Sequence, residues 1–120
     1  MTYHEEYKKF IEEFELNPKD AVSVGSLIVR MANHFAEANY TYGQKRRAYD
    51  IQARVMEFSA DENTGKPVSS TKAKVLTDAT DEAHELMKSK IDLENIEQML
   101  NALKSLQKGL LQEYSHASTM

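Results

Sequence analysis

The chain is predicted to be all-α: a long antiparallel helical hairpin with a short N-terminal helix, assembled into an oligomeric bundle. Three observations predict this. Between Asn17 and Ala60, apolar or aromatic residues recur at seven-residue intervals: Ile28, Phe35, Tyr42, Tyr49 and Met56. A half-step row of Val24, Met31 and Ala38 accompanies them and turns polar at Lys45 and Gln52. Such spacing marks one face of a helix that packs on another helix. A second stripe, Ala79, Leu86, Leu93 and Leu100 with Ile96, Leu103 and Leu110 as its half-step row, repeats the pattern near the C-terminus. Between the two lies DENTGKPVSST, residues 61–71, the one clear turn-forming stretch.

The elements follow in order. Residues 2–15 read as a short amphipathic helix, with Tyr3, Tyr7, Phe10, Ile11 and Phe14 on one stripe and Glu and Lys opposite. Thr2 and Glu5 fit a capping box, each side chain satisfying a free backbone amide. So short a helix is not stable alone and must dock, either as a lid on the main hairpin or as an arm on a neighbouring subunit. Asn17-Pro18 restarts the chain, and a long helix over 18–60 follows, about 65 Å if fully helical at ~1.5 Å per residue. Gly25 and Gly43 interrupt it at about 1 kcal/mol each relative to alanine, and Gly43, beside the Tyr and Arg cluster, suits close helix packing or a mild kink, or room for a ligand. Residues 61–77 form the linker, with Ser69 or Ser70 capping a possible short helix through Leu76. Thr77 or Asp78 caps a last helix over 78–114. Met87, Ile91, Met99, Leu106 and Leu111 widen its stripe beyond what a two-helix seam covers. An elongated 120-residue hairpin also has little interior. Homo-oligomerisation is the expected cover.

Composition bounds the function. The chain is one domain at most by length, with a hydrophobic fraction of 41% and a charged fraction of 28%, as in folded soluble proteins. A formal net charge of −4 disfavours general nucleic-acid binding. There is no cysteine, hence no disulfide framework and no thiolate chemistry or thiolate metal site. The opening MTYHEEYKKF predicts no secretory leader, and no run approaches the ~20 apolar residues of a membrane span. A cytoplasmic protein is expected.

The chemically richest stretch is basic and aromatic. Residues 41–74 carry Lys45, Arg46, Arg47, Arg54, Lys66, Lys72 and Lys74 against Asp50, Glu57, Asp61 and Glu62, whereas residues 78–120 carry an acidic excess. Two readings stand. In the first, the hairpin lays the two segments side by side, so that Arg54 faces Glu85 and Lys45 or Arg46 faces Asp92 or Glu94. Such pairs contribute about 0–1 kcal/mol each but fix register. In the second, Tyr42, Lys45, Arg46 and Tyr49 line a site for a flat anionic ligand, with Arg47, Arg54, Lys72 and Lys74 as outer contacts, because Arg and Lys hold phosphate and Tyr stacks on a base. TGKP at 64–67 is not a phosphate-cradling loop, so any phosphate site is built from side chains and helix ends.

Catalysis and metal binding find little support. His34 with Glu37 and Asp81 with His84 are each one turn apart, but one pair reverses the Glu-x-x-His order of di-metal bundles and the other uses Asp. Ser69, Ser70, Ser105 and the histidines at 4, 34, 84 and 116 compose no nucleophile–base–acid set. No enzyme, no cofactor and no metal is the expectation.

From Asn33 onward, NHFAEANYTYGQKRRAYDIQARVMEF, TGKPVSSTKAKV and IDLENIEQMLNALKSLQKGLLQEY follow one another. This order resembles small helical accessory proteins of tailed phages, over about two-thirds of the chain. The resemblance implies a small phage accessory protein in the host cytoplasm. Some proteins of that kind act as oligomeric sponges for host immune nucleotides, which suggests an anti-defence role: sequestering a small anionic nucleotide-like ligand. The alternatives are a DNA recombination or replication accessory that binds single-stranded DNA or a recombinase, and a structural coiled-coil adaptor.

Overall fold

The computed structural model describes residues 2–18, 20–60 and 64–119, with side chains through residue 113. Among them the chain is all-helical: α1 (Tyr3–Leu16), α2 (Ala21–Glu57), α3 (Ser70–Asp78) and α4 (Asp81–Thr119). The only extended pairing among the described residues is an isolated bridge between Ala60 and Pro67, and the Val68 amide donates to the Ser59 carbonyl next to it. Gly65 sits inside this turn at φ +68, a left-handed conformation that costs glycine nothing. No helix of the described residues is long and apolar enough to cross a membrane.

Each helix start has a local cause. At α1 the Thr2 hydroxyl accepts from the Glu5 amide and the Glu5 carboxylate accepts from the Thr2 amide, the capping box read from the sequence. The α2 start corrects the expectation: Asn17 closes α1 by donating its amide to the Glu13 carbonyl, and Asp20, not Asn17, caps α2. Its Oδ1 accepts from the Ser23 amide at 2.8 Å. That bond to Ser23 holds the Asp20 carboxyl below its ordinary 3.8. Helix α2 thus starts at 21 rather than 18 and ends at 57 rather than 60. Ser69 caps α3 by accepting from the Lys72 amide. Thr80, not Thr77 or Asp78, caps α4: its hydroxyl donates to the Thr77 carbonyl and accepts from the Ala83 amide. The last helix runs beyond residue 114 to Thr119. Asp61 and Glu62, part of the linker and of its charge count, lie outside the described residues, as does the side chain of His116.

Packing divides the chain into two compact units. Unit 1 comprises Met1–Glu37 and Glu94–Met120. Its core holds Phe10, Val24, Leu27, Met31, Ile96, Leu100 and Leu103. Leu27 stands outside both seven-residue rows, yet it is fully buried, since a 3.6-residue turn brings 24, 27 and 31 onto one face. Helix α1 docks here through buried Phe10 and a part-buried polar contact, Glu6 Oε2 to His34 Nε2 at 2.9 Å, with the Tyr3 ring edge-on to His34. His34 is therefore a half-buried packing residue. Gln107 donates to the Ala21 carbonyl and lies across Gly25, where a Cβ would meet its Nε2 at 2.7 Å.

Unit 2 is Ala38–Leu93. Its buried side chains are small: Ala73, Thr77 and Ser89. Both hydroxyls donate to backbone carbonyls of their own helices, Thr77 to Ala73 and Ser89 to Leu86, so neither is buried unsatisfied. Tyr42, Tyr49, Met56, Leu86 and Leu93 of the same unit are half-buried.

Two expectations are corrected. Gly43 is exposed, and a Cβ added there would meet nothing within 4 Å, so it makes no close helix packing. Gly43→Ala should therefore stabilise the protein by about 0.5–1 kcal/mol, read as a higher melting temperature. The apolar surplus on α4 is partly absorbed: Met99 and Leu106 are half-buried in unit 1, while Met87, Ile91 and Leu111 are exposed.

Candidate functional site

Unit 2 contains a groove of about 510 Å³, lined by Tyr42, Arg46, Tyr49 and Asp50 of α2, Asp78 of α3, and Ala83, His84, Leu86, Met87 and Lys90 of α4. The α2 contributors lie three and four residues apart, so one helical face carries them all. Those of α4 share a face for the same reason. Asp78, the last residue of α3, closes one end.

Polar contacts set the groove wall. Tyr49 Oη donates to Asp78 Oδ1 at 2.8 Å, which ties α2 to α3. Because the neutral phenol is the donor, this bond, aided by desolvation and the nearby carboxylates of Asp78 and Asp50, raises the Tyr49 pKa above its ordinary 10.0. Arg46 Nη1 donates to Tyr42 Oη at 3.3 Å. The Tyr42 hydroxyl first, and the Asp50 carboxylate behind it, reinforce the protonated guanidinium. Leu86 and Met87 add apolar lining, and Lys90 and His84 add donors.

A folded-state pKa raised above the unfolded value gives stability that is complete below the unfolded pKa and lost as pH rises through the folded one. Tyr49→Phe keeps the ring and removes the donor. It should cost at most about 1 kcal/mol near neutral pH, since both partners are partly solvated. The difference from the unmodified protein should begin to shrink in melting curves as pH rises past 10 and vanish once the phenol, held above its ordinary value, ionises beside Asp78.

Of the residues singled out in the sequence, Tyr42, Arg46 and Tyr49 meet at the groove. Lys45 points elsewhere and forms an ion pair with Glu85 at 3.5 Å. Arg47, Arg54, Lys72 and Lys74 are exposed and do not line the groove. The expected register is corrected: Glu85 meets Lys45, not Arg54, and Arg46 turns to Tyr42 rather than to Asp92 or Glu94. The cause is the linker. The chain reverses at Gly65, and α3 packs as a helix of unit 2 instead of extending the turn.

Asp50, Asp78, Leu86, Met87 and Lys90 escape the sequence reading as site residues, and His84 enters it only as a candidate metal ligand. A register centred on Gly65 places residue 84 opposite 46, which is the signal that would have found them. Among the described residues, no three of His, Cys, Asp and Glu gather where a metal ion could bind. Comparisons with protein-family models, with curated proteins and with solved structures returned no match.

Proposed function

We propose that the chain is a non-enzymatic binding protein for a small, flat, anionic ligand of the nucleotide class, held in the unit 2 groove. The observation that carries this reading is the grouping of two phenols, a guanidinium and an ammonium with apolar side chains along one groove, in Tyr42, Tyr49, Arg46, Lys90, Leu86 and Met87. The groove volume falls in the ~300–1,000 Å³ range of small-molecule sites. Arg46 keeps donors beyond the one engaged by Tyr42, and these suit a phosphate. An aromatic ring finds stacking surface on the tyrosines. Asp50 and Asp78 add acceptors that suit a base edge and repel a continuous phosphate backbone, so a single nucleotide fits better than a DNA strand.

In this reading the segments of α2 and α4 in unit 2 run antiparallel as a helical hairpin, supported by the Lys45–Glu85 and Tyr49–Asp78 contacts. The protein works as a homo-oligomer, supported by the exposed Met87 and Ile91. Sequestration of a host signal in the cytoplasm is the role that the resemblance to phage accessory proteins adds. The test is thermal melting with a panel of mono-, di- and cyclic nucleotides. A ligand-dependent rise in the melting temperature is expected, and no rise with any nucleotide would sink the reading.

A further inference from the structure

The C-terminal half of α2 carries an apolar stripe that unit 2 leaves uncovered. Ile51 is 54% exposed, Val55 53% and Phe58, just past the helix end, 87%. At about 100° per residue these three fall within an arc of about 60°. Beside the stripe, all on one flank, lie Arg47, Asp50, Arg54 and Glu57. Each is exposed, and no ion pair with another described residue engages Arg47, Arg54 or Glu57.

The charge order on that flank is self-complementary. In an antiparallel two-fold helix pair, each flank meets the same flank of the other copy. Residue 52 lies midway between 47 and 57 and also midway between 50 and 54. A single two-fold axis at residue 52 therefore sets Arg47 against Glu57 and Arg54 against Asp50, each twice. The same register is good for packing. Ile51 of one copy falls between Ile51 and Val55 of the other, and the Phe58 ring falls level with residue 46, beside the small Ala48. A parallel pairing would instead set this flank against the opposite flank of the other copy, and the match of Arg47 with Glu57 and of Arg54 with Asp50 would be lost.

We propose that a second copy of this chain covers the Ile51–Val55–Phe58 stripe in this antiparallel two-fold register, and that Arg54 of the second copy reaches Asp50 at the groove lip. The last step rests on the groove reading given above. Alone, the groove balances Arg46 and Lys90 against Asp50 and Asp78. Arg54 of the second copy neutralises Asp50 and brings a further guanidinium to the edge, so pairing turns a charge-balanced groove into a cationic one. The anionic ligand and the pair then favour each other.

Analytical ultracentrifugation of the full chain, without nucleotide and at low salt, tests the pairing. The unmodified protein should reach twice its mass of 13.7 kDa as concentration rises through the micromolar range. Val55→Asp should stay at 13.7 kDa with an unchanged melting temperature when dilute, because the side chain is exposed in the single copy. Arg54→Glu exchanges two ion pairs for two like-charge contacts and should weaken the dimer about tenfold. Adding Asp50→Arg to Arg54→Glu should restore it. An unmodified chain that remains a monomer, a Val55→Asp chain that still dimerises, or a double variant as weak as Arg54→Glu would each overturn the proposal. The groove reading fails separately. A monomer that still melts higher with one of the nucleotides overturns the pairing alone, and a dimer of the expected behaviour that responds to none overturns the groove alone.

Discussion

Leu103→Asp should destroy the fold of unit 1. Leu103 is 1% exposed and packs in a core with Leu27, Met31 and Ile96. Removing its apolar branch costs about 2–5 kcal/mol by itself. The new carboxylate finds no buried cation in that core, and burying an unpaired polar or charged group adds several kcal/mol more. The sum rivals the whole stability of a small domain, about 5–15 kcal/mol. Circular dichroism at room temperature should show lost helix, and the melting transition should disappear. Leu111→Asp, at an exposed position of the same helix, should stay within about 0.5 kcal/mol of the unmodified protein. Equal melting curves for the two variants would mean that the core has been misplaced.

Arg46→Ala and Tyr49→Ala separate a binding site from a mere packing surface. Arg46 is exposed and its partner is the Tyr42 hydroxyl, so its loss should leave the melting temperature of the free protein almost unchanged. If the groove holds an anionic ligand, the same change should abolish most of the melting shift that the ligand gives. A ligand at a hundredfold excess over Kd stabilises by about 2.7 kcal/mol, and a tenfold loss of affinity removes about 1.4 kcal/mol of it. Tyr49→Ala should show both effects, a loss of about 2 kcal/mol from truncating a half-buried ring and a loss of ligand response. A full ligand shift in Arg46→Ala would remove Arg46 from the site. Titration calorimetry gives the same answer as a change in Kd.

The fold class is legible in the sequence because seven-residue rows need no knowledge of topology. Val24, Met31, Ile96, Leu100 and Leu103 all stand in those rows and are buried. The Thr2–Glu5 box and the Ser69 cap are legible for a similar reason, since a cap is a bond across three residues. Register is not. Placing Glu85 requires knowing where the chain reverses, and DENTGKPVSST offers several turn residues over more than ten positions. A turn centred on the middle of the 61–77 linker instead of Gly65 displaces the position opposite Glu85 by eight residues, from 45 to 53, next to Arg54. Half of the candidate site goes with it, because Tyr42, Arg46 and Tyr49 sit on one helix whereas Leu86, Met87 and Lys90 depend on register. Gly43 misleads because a glycine beside aromatic residues looks the same whether its open side faces a neighbour or water.

The contrast between the two cores has a consequence for motion. Among the described residues, unit 1 buries seven apolar side chains, most of them large, whereas the fully covered side chains of unit 2 are Ala73, Thr77 and Ser89. Local opening costs least where little apolar surface is sealed, so α3 and its neighbours form the softer cooperative unit, and their amide protons trade with solvent sooner. The Tyr49–Asp78 bond is a clasp on that unit, and it is solvated enough to release and re-form. If the groove takes a ligand, a soft unit would adapt its walls to it, at the expense of affinity spent on ordering them. The groove thus lies in the unit expected to open first, while the larger aliphatic core belongs to the other unit.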